Sequence, residues 1–251
     1  NTSINDMSVK QYGFTFGGPI IKNKLFFFVN LEQQKQVEPG PTKVAATASA
    51  PFGSASFIAR PTDQFMNTVS EYLASKYGYE TGPYQGYSFD SNNDKLFARI
   101  DWNISDNHKI NFRYNQVKGK SPSSLSSSVS GANINTTTYP TNRTGMNALS
   151  FRNSNYFSES NLYSAAAEYT GKTGEYNHSA RITYVNQDEP RSVESAWFPM
   201  VDIRDGVSGS AGNVLTSFGT DPFTYGNLRS VKTWNANYDI SRTFGAHDVT
   251  L

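Results

Sequence analysis

The 251-residue chain contains no cysteine, which excludes a disulfide-stapled scaffold and a cysteine-ligated zinc site. Charged residues make up only 17% of the sequence and almost cancel, with 22 basic and 21 acidic side chains. The basic excess with which proteins meet nucleic-acid phosphates is therefore missing. No apolar run approaches the roughly 18 residues of a membrane-spanning helix, and the longest is Leu25–Val29. These absences argue against a nucleic-acid-binding protein, a disulfide-rich module and a helical membrane protein.

Aromatic and small polar residues dominate the composition instead. Phenylalanine, tyrosine and tryptophan supply 14% of the chain, and serine, threonine and asparagine together supply 75 of the 251 residues. Such a mixture is unusual for a soluble enzyme and far too aromatic for a disordered chain. It is typical of β-strands with one apolar, aromatic face and one hydrated face.

Residues of alternating polarity recur along the chain in four strand pairs. The clearest pair has apolar residues at every second position of one strand, followed by a turn at 105–109 and a second alternating strand. Its apolar positions are Leu96, Ala98, Ile100, Trp102 and Ile104, and then Ile110, Phe112 and Tyr114. Similar pairs turn near 18–24, 171–175 and 243–248, which predicts four β-hairpins.

The connections between these hairpins are long, at about 37–93, 118–155 and 188–229. Short turns on one side and long loops on the other are typical of an outer-membrane barrel. The sequence therefore predicts an all-β fold: an antiparallel up-and-down transmembrane β-barrel, incomplete, with about eight strands of a larger barrel. A soluble carbohydrate-binding β-sandwich is an alternative, but it does not explain the sidedness of the loops.

The long loops carry the predicted ligand contacts. The first loop contains a short helix that begins after Thr62 and ends at Gly78, whereas residues 118–144 are low in complexity. Aromatic rings on external loops can stack on sugars or other flat ligands and add hydrogen bonds through their hydroxyls. The candidate ligand-binding residues are Tyr77, Tyr79, Tyr84, Tyr87 and Trp197. Packing of the loops on themselves is the alternative role for these rings.

The sequence predicts neither an enzyme nor a cofactor or metal site. The three histidines lie beside turns of different hairpins, where side chains do not converge on one ion. The charged residues of the strands fall on the polar face, where a barrel interior holds ion pairs. These are Arg99, Asp101, Arg113, Glu168 and Arg181. We expect ion pairs among them rather than acid–base catalysis.

The stretch Gly13–Glu32, GFTFGGPIIKNKLFFFVNLE, resembles the start of the barrel in TonB-dependent outer-membrane receptors. The likeness is to the Oar-like subgroup, which often carries a carboxypeptidase-regulatory-like domain, and weaker likeness continues at Leu96–Trp102 and Gly245–His247. The resemblance implies a barrel of typically about 22 strands, an N-terminal plug domain and active uptake. The implied partners are outer-membrane lipid, the inner-membrane TonB complex acting through the plug region, and a siderophore, glycan, cobalamin or peptide ligand.

On this resemblance, residues 1–251 are expected to be an internal fragment of the receptor barrel, without the plug domain and the C-terminal strands. The expected location is the outer membrane of a Gram-negative bacterium. A passive porin or an adhesin barrel shares the alternation of the strands but does not explain the stretch Gly13–Glu32. Both remain alternatives to the transporter.

Overall fold

Long β-strands and one helix make up the computed structural model, which describes residues 7–126, 143–206, 213–224 and 226–251. In chain order the elements are β1 Ser8–Ile21, β2 Leu25–Pro39, β3 Val44–Ala46, β4 Ile58–Thr62, α1 Asp63–Tyr77, β5 Ser88–Ser105, β6 His108–Ser123, a 3-10 helix at Arg152–Ser154, β7 Tyr156–Thr173, β8 Tyr176–Ser192, β9 Val201–Arg204, β10 Val214–Phe218, β11 Leu228–Phe244 and β12 His247–Thr250.

Eight of these strands form one antiparallel sheet in the order β1-β2-β5-β6-β7-β8-β11-β12. Each strand pairs with the next long strand along the chain, so the up-and-down topology and all four hairpins predicted from the alternation are confirmed. Within the described residues the sheet does not close, because β1 and β12 lie at opposite edges. The predicted incomplete, all-β architecture is therefore confirmed.

The register of the sheet separates an apolar face from a polar face. Residues directly opposite each other in neighbouring strands share a face, so the pairing can be followed across the sheet in rows. One row contains Leu25, Trp102, Ile110, Tyr169, Ala180 and Tyr238, and the next contains Phe27, Ile100, Phe112, Ala167, Ile182 and Ala236. Because the apolar rows are continuous from β2 to β11, they form one apolar face of the sheet.

The strands extend further than the hydrophobic alternation predicts. β6 continues to Ser123, although the second long loop was predicted to begin at residue 118, and β8 continues to Ser192. Near these loop ends polar residues occur on both faces of the sheet; Lys118, for example, lies opposite Asp94 and Asn161. Backbone hydrogen bonds do not depend on side-chain polarity, so pairing continues where the alternation has ended. Most of the low-complexity segment lies outside the described residues.

The predicted helix α1 has both of its expected ends. The Thr62 hydroxyl accepts a hydrogen bond from the Phe65 amide at 3.2 Å, and Gly78 ends the helix in the left-handed conformation with φ 63°. Met66 and Leu73 are the buried positions of its apolar stripe. In the described part of the chain, no helix is both long and apolar enough to cross a membrane.

Candidate ligand-binding surface

The three long loops pack together into one structure at the loop end of the sheet, which we call the cap. It comprises the described residues of 40–87, 124–155 and 193–227, including α1, β3, β4, β9 and β10. Main-chain hydrogen bonds join the loops: the Leu149 amide donates to the Leu215 carbonyl at 2.9 Å, and the Arg152 amide donates to the Pro83 carbonyl at 2.8 Å. Loops predicted as separate connections therefore share one fold.

A hydrophobic core stabilises the cap. Its buried residues come from all three loops and are Ala45, Ala59, Met66, Leu73, Tyr79, Leu149, Phe151 and Phe218. Burial of apolar surface contributes roughly 25 cal/mol per Å², and Met66 and Phe151 are fully buried. The cap thus has a core of its own, separate from the apolar face of the sheet.

Two of the ion pairs that connect the third loop to the other loops lie at or next to β9. Arg143 of the second loop donates from Nε to Asp202 Oδ1 at 2.7 Å and from Nη2 to Oδ2 at 2.9 Å. Arg60, at β4 in the first loop, pairs with Asp205. The side chains of Arg143 and Asp202 are only 6% and 14% exposed, so this pair is screened little by solvent. Both pairs restrain β9 relative to the other loops.

Lys43 connects the first loop to the second through main-chain oxygens. Its ammonium donates to the carbonyls of Thr144, Gly145 and Ala148 at 3.1, 2.7 and 2.9 Å. Partial burial lowers the pKa of Lys43, since desolvation disfavours the charged form. The three carbonyl oxygens satisfy all three ammonium donors.

Tyr79 and Tyr87, two of the predicted ligand contacts, are instead packing residues. Their exposed fractions are 2% and 8%, and burial raises the pKa of both phenols. The Tyr79 ring stacks on Phe198 with centroids 4.4 Å apart, and its hydroxyl accepts from the Gly219 amide at 3.2 Å. Tyr87 packs edge-on against Phe89. Neither ring presents a face to an external ligand, which corrects their predicted role.

Tyr84 has an intermediate position. Its ring meets Phe151 edge-on at 6.0 Å, and its hydroxyl donates to the Asn67 side-chain oxygen at 3.2 Å. Burial is the main reason why its pKa is raised, and the negative charge of Asp63 adds to the effect. This residue therefore joins α1 to the loop core while keeping part of its surface in solvent. Its role as a ligand contact stays a prediction.

Tyr77 and Trp197 are the predicted residues that reach the surface of the cap, with exposed fractions of 57% and 56%. Tyr77 meets Phe198, the neighbour of Trp197, edge-on at 5.7 Å and Tyr72 at 6.0 Å. We call Tyr72, Tyr77, Trp197 and Phe198 the aromatic strip. Tyr72, which is on α1 and 54% exposed, was not among the predicted ligand contacts. A hydrogen bond with Tyr77 raises the pKa of Tyr72.

The polar face of the sheet carries the predicted ion pairs. Arg99 Nε lies 2.8 Å from Asp101 Oδ2, and Glu168 accepts from Arg181 at 2.6 Å and from Arg113 at 3.5 Å. The three guanidinium groups exceed the two carboxylates by one positive charge. We call these five residues the polar-face network. Their proximity, predicted from alternation alone, is confirmed.

An aromatic pair interrupts the polar face next to this network. Phe28 and Phe97 meet edge-on with centroids 6.1 Å apart and planes at 60°. They lie on neighbouring strands, and the register places Phe28 opposite Arg99 and Phe97 opposite Asn30. The two rings cover each other, so each has an apolar neighbour within the sheet.

Comparison with known proteins identifies one family. The profile of a family described as an outer membrane beta barrel domain matches residues 1–251, the whole chain. No curated protein matches the sequence. The family accounts for the apolar face, the polar face, the short turns and the long loops described above.

Proposed function

Because the chain belongs to the outer membrane beta barrel domain family, it lies in the outer membrane of a Gram-negative bacterium, and we propose that it forms wall and external loops of a TonB-dependent receptor of the Oar-like subgroup. In this proposal the apolar face contacts lipid and the polar face lines the barrel interior. Its role is energy-coupled uptake of a ligand rather than catalysis.

The observation that carries the proposal is the first hairpin, since the signature stretch Gly13–Glu32 forms its turn and the paired residues next to the turn, with Gly13 directly opposite Glu32. Two of its glycines lie on the polar face opposite Glu32 and Phe28. A Cβ atom at Gly13 would come within 2.9 Å of the Leu31 carbonyl oxygen, and one at Gly17 within 2.9 Å of the Phe27 carbonyl oxygen. Because neither position carries a side chain, a domain inside the barrel can approach the backbone of the wall closely there.

The polar-face network supports the same proposal. Its ion pairs use both carboxylates, and its single excess positive charge favours an acidic partner surface. A plug domain that places acidic side chains next to the polar-face network would provide such a partner surface. The plug, in turn, would connect the receptor to the inner-membrane TonB complex.

The aromatic strip is the surface that we propose for the first contact with ligand. Tyr72 and Tyr77 expose more than half of their surface while resting on a packed core. Rigid aromatic rings bind a flat apolar ligand surface, such as one face of a sugar ring, at low entropic cost. Among the four ligand classes that the resemblance implies, this chemistry favours a glycan.

The test of the transport class uses the purified full-length protein in a planar lipid bilayer bathed in potassium chloride. A receptor occluded by a plug gives no steady conductance and binds the isolated periplasmic domain of TonB. Steady conductance without TonB binding would instead establish a porin. A silent barrel that does not bind the TonB domain would be an adhesin, and it would overturn the proposal.

The ligand proposal has its own test. Oligosaccharides, a ferric siderophore, cobalamin and peptides are titrated against the full-length protein, and binding is followed calorimetrically. We expect oligosaccharide binding that weakens about tenfold in Tyr77→Ala or Trp197→Ala, in line with roughly 0.5–1.5 kcal/mol for a lost aromatic contact and about 1.4 kcal/mol per tenfold change in affinity. Phe52→Ala is the control, because Phe52 is an exposed aromatic residue of the first loop that lies outside the aromatic strip. Equal affinities in all variants would exclude the strip as the binding surface.

A further inference from the structure

Two histidine–tyrosine pairs repeat at the turn end of the sheet. His108 Nδ1 lies 2.7 Å from the Tyr169 hydroxyl, and the two rings are nearly parallel at 9°. His178 Nδ1 lies 2.7 Å from the Tyr238 hydroxyl, with the rings at 20°. The register places both histidines in one row, since each is directly opposite Gly171. The same arrangement thus occurs twice along one level of the sheet.

Gly171 makes room for the first of these pairs. A Cβ atom there would come within 2.5 Å of His108 Nδ1 and would also meet the Tyr169 hydroxyl. The two polar groups therefore lie directly over the glycine, close to the backbone. The hydrogen bond is part of a fitted arrangement rather than a contact between two loose side chains.

Both pairs lie on the apolar face, although their hydrogen-bonding groups are polar. His178 is two residues from Ala180, and Tyr238 is directly opposite Ala180. Polar rings at the end of a lipid-facing surface are stable at headgroup level, where an apolar body and a polar tip are both satisfied. The histidine row therefore marks the membrane interface on the side of the short turns.

Arg242 completes a cationic patch beside the second pair. Its guanidinium lies 5.1 Å from the Tyr176 ring centre and 4.5 Å from the Phe244 ring centre, and Nη1 donates to the Tyr176 hydroxyl at 3.1 Å. Its ion-pair partner Glu175 is 69% exposed. Because Glu175 can turn into water at little cost, an anion in the membrane can replace it at the guanidinium.

The charge of the turn end is complementary to an anionic lipid surface. The four turns, together with the three residues on either side of each turn, contain five basic and three acidic side chains. The basic residues are Lys22, Lys24, Lys109, Lys172 and Arg242, and the acidic residues are Asp106, Glu175 and Asp248. Clustered basic side chains at an interface attract anionic headgroups.

We propose that Tyr176, His178, Tyr238 and Arg242 bind the phosphate of an anionic glycerophospholipid in the leaflet next to the short turns. Continuing the register from Ser241 opposite Asn177 places Arg242 opposite Tyr176, so His178 is its diagonal neighbour at about 7–8 Å. A phosphate between them can accept from the guanidinium and from His178 Nε2, because Nδ1 already contacts Tyr238. Tyr176 and Phe244 hold the guanidinium in place through cation–π contacts.

The test is native mass spectrometry of the full-length protein in detergent, titrated with phosphatidylglycerol and with phosphatidylcholine. We expect phosphatidylglycerol to be retained about tenfold more strongly, and we expect Arg242→Gln and His178→Gln each to remove most of this preference. Arg181→Gln, which removes a similar charge from the polar face, is the matched control and should keep the preference. Melting curves followed by β-sheet circular dichroism verify that each variant is folded.

Two outcomes would overturn the proposal. The first is an equal preference for phosphatidylglycerol in the wild type and in both patch variants. The second is loss of bound phosphatidylglycerol when inorganic phosphate is added at millimolar concentration, which would identify a site for free phosphate instead of a lipid. Neither outcome depends on whether the barrel is a receptor or a porin.

Discussion

Arg143 and Asp202 form a two-point ion pair that joins two loops separated by two long strands. Arg143 also donates from Nη1 to the Ser126 carbonyl at 2.9 Å, and Asp202 also accepts from the Ser217 hydroxyl at 2.8 Å. The pair is therefore the centre of a polar network inside the cap. Planar, bidentate geometry of this kind is the strongest form of a charged hydrogen bond.

Arg143→Ala should destabilise the cap by about 3 kcal/mol, because the poorly solvated Asp202 carboxylate loses both charged hydrogen bonds and keeps only Arg204, whose Nη2 is 3.9 Å away. Hydrogen exchange at the Leu149 and Phe151 amides, which bond to the third loop, measures the effect. Arg229→Ala is the control: Arg229 is 72% exposed and pairs with Glu189 at 3.5 Å, so its loss should cost less than about 1 kcal/mol. Unchanged exchange in Arg143→Ala would mean that the core alone holds the cap together.

Replacing Ile100 by arginine should destabilise the barrel by about 2–4 kcal/mol, because a guanidinium on the lipid face must be desolvated or must draw water inward. Ile100 lies in the middle of the apolar run of β5, opposite Phe27 and Phe112. Denaturant titration of the full-length protein in lipid vesicles measures the cost. Asn115→Arg, on the polar face, should cost less than about 1 kcal/mol, and a larger cost there would reverse the assignment of the faces.

Alkaline pH should open the cap before it affects the sheet. Burial raises the pKa of Tyr79 and Tyr87 above the ordinary value of 10.0. Since the folded pKa exceeds the unfolded one, the resulting stability is fully present below about pH 10 and is lost as pH rises through the folded pKa. Tyrosinate absorbance and cap hydrogen exchange should change together, and Tyr87→Phe should move this transition to higher pH. If the cap of Tyr87→Phe opened at the same pH as the wild type, ionisation of a group other than Tyr87 would cause the opening.

Met66→Ala should cost the cap about 2–5 kcal/mol, because the fully buried thioether leaves a cavity between α1 and the other loops. Thr62→Ala removes only the hydrogen bond to the Phe65 amide and should cost about 1 kcal/mol. Resistance of the cap to limited proteolysis ranks the two variants. Met66→Ala should be cleaved faster than Thr62→Ala. Faster cleavage of Thr62→Ala would indicate that the end of the helix, rather than the core, controls opening of the cap.

The sheet was predictable because its physical cause is local. Alternation at Leu96–Ile104 and at Ile110–Tyr114 determines which side chains share a face, and a short turn determines the register between neighbouring strands. From these two facts the proximity of Glu168 to Arg113 and Arg181 follows. The ends of the strands could not be predicted in the same way. β6 continues through residues 118–123, which show no hydrophobic alternation although their backbone is still paired.

The cap was not predictable because its contacts are distant in sequence. Lys43 binds carbonyls about a hundred residues away, and Tyr79 reaches the Gly219 amide. A tyrosine in a polar loop has the same local signature whether it is exposed, as Tyr77 is, or buried, as Tyr79 is. Only the packing of three loops together distinguishes the two cases.

The joined loops also have a mechanical consequence for the wall beneath them. The first loop links β2 to β5, the second links β6 to β7, and the third links β8 to β11, so six consecutive strands end in the same cap. A sheet of paired strands bends easily across its width, but strands whose outer ends are fixed to one packed body cannot splay independently. The cap therefore restrains the curvature of the part of the barrel wall that these six strands form. A force applied to the aromatic strip would be transmitted to all six strands at once.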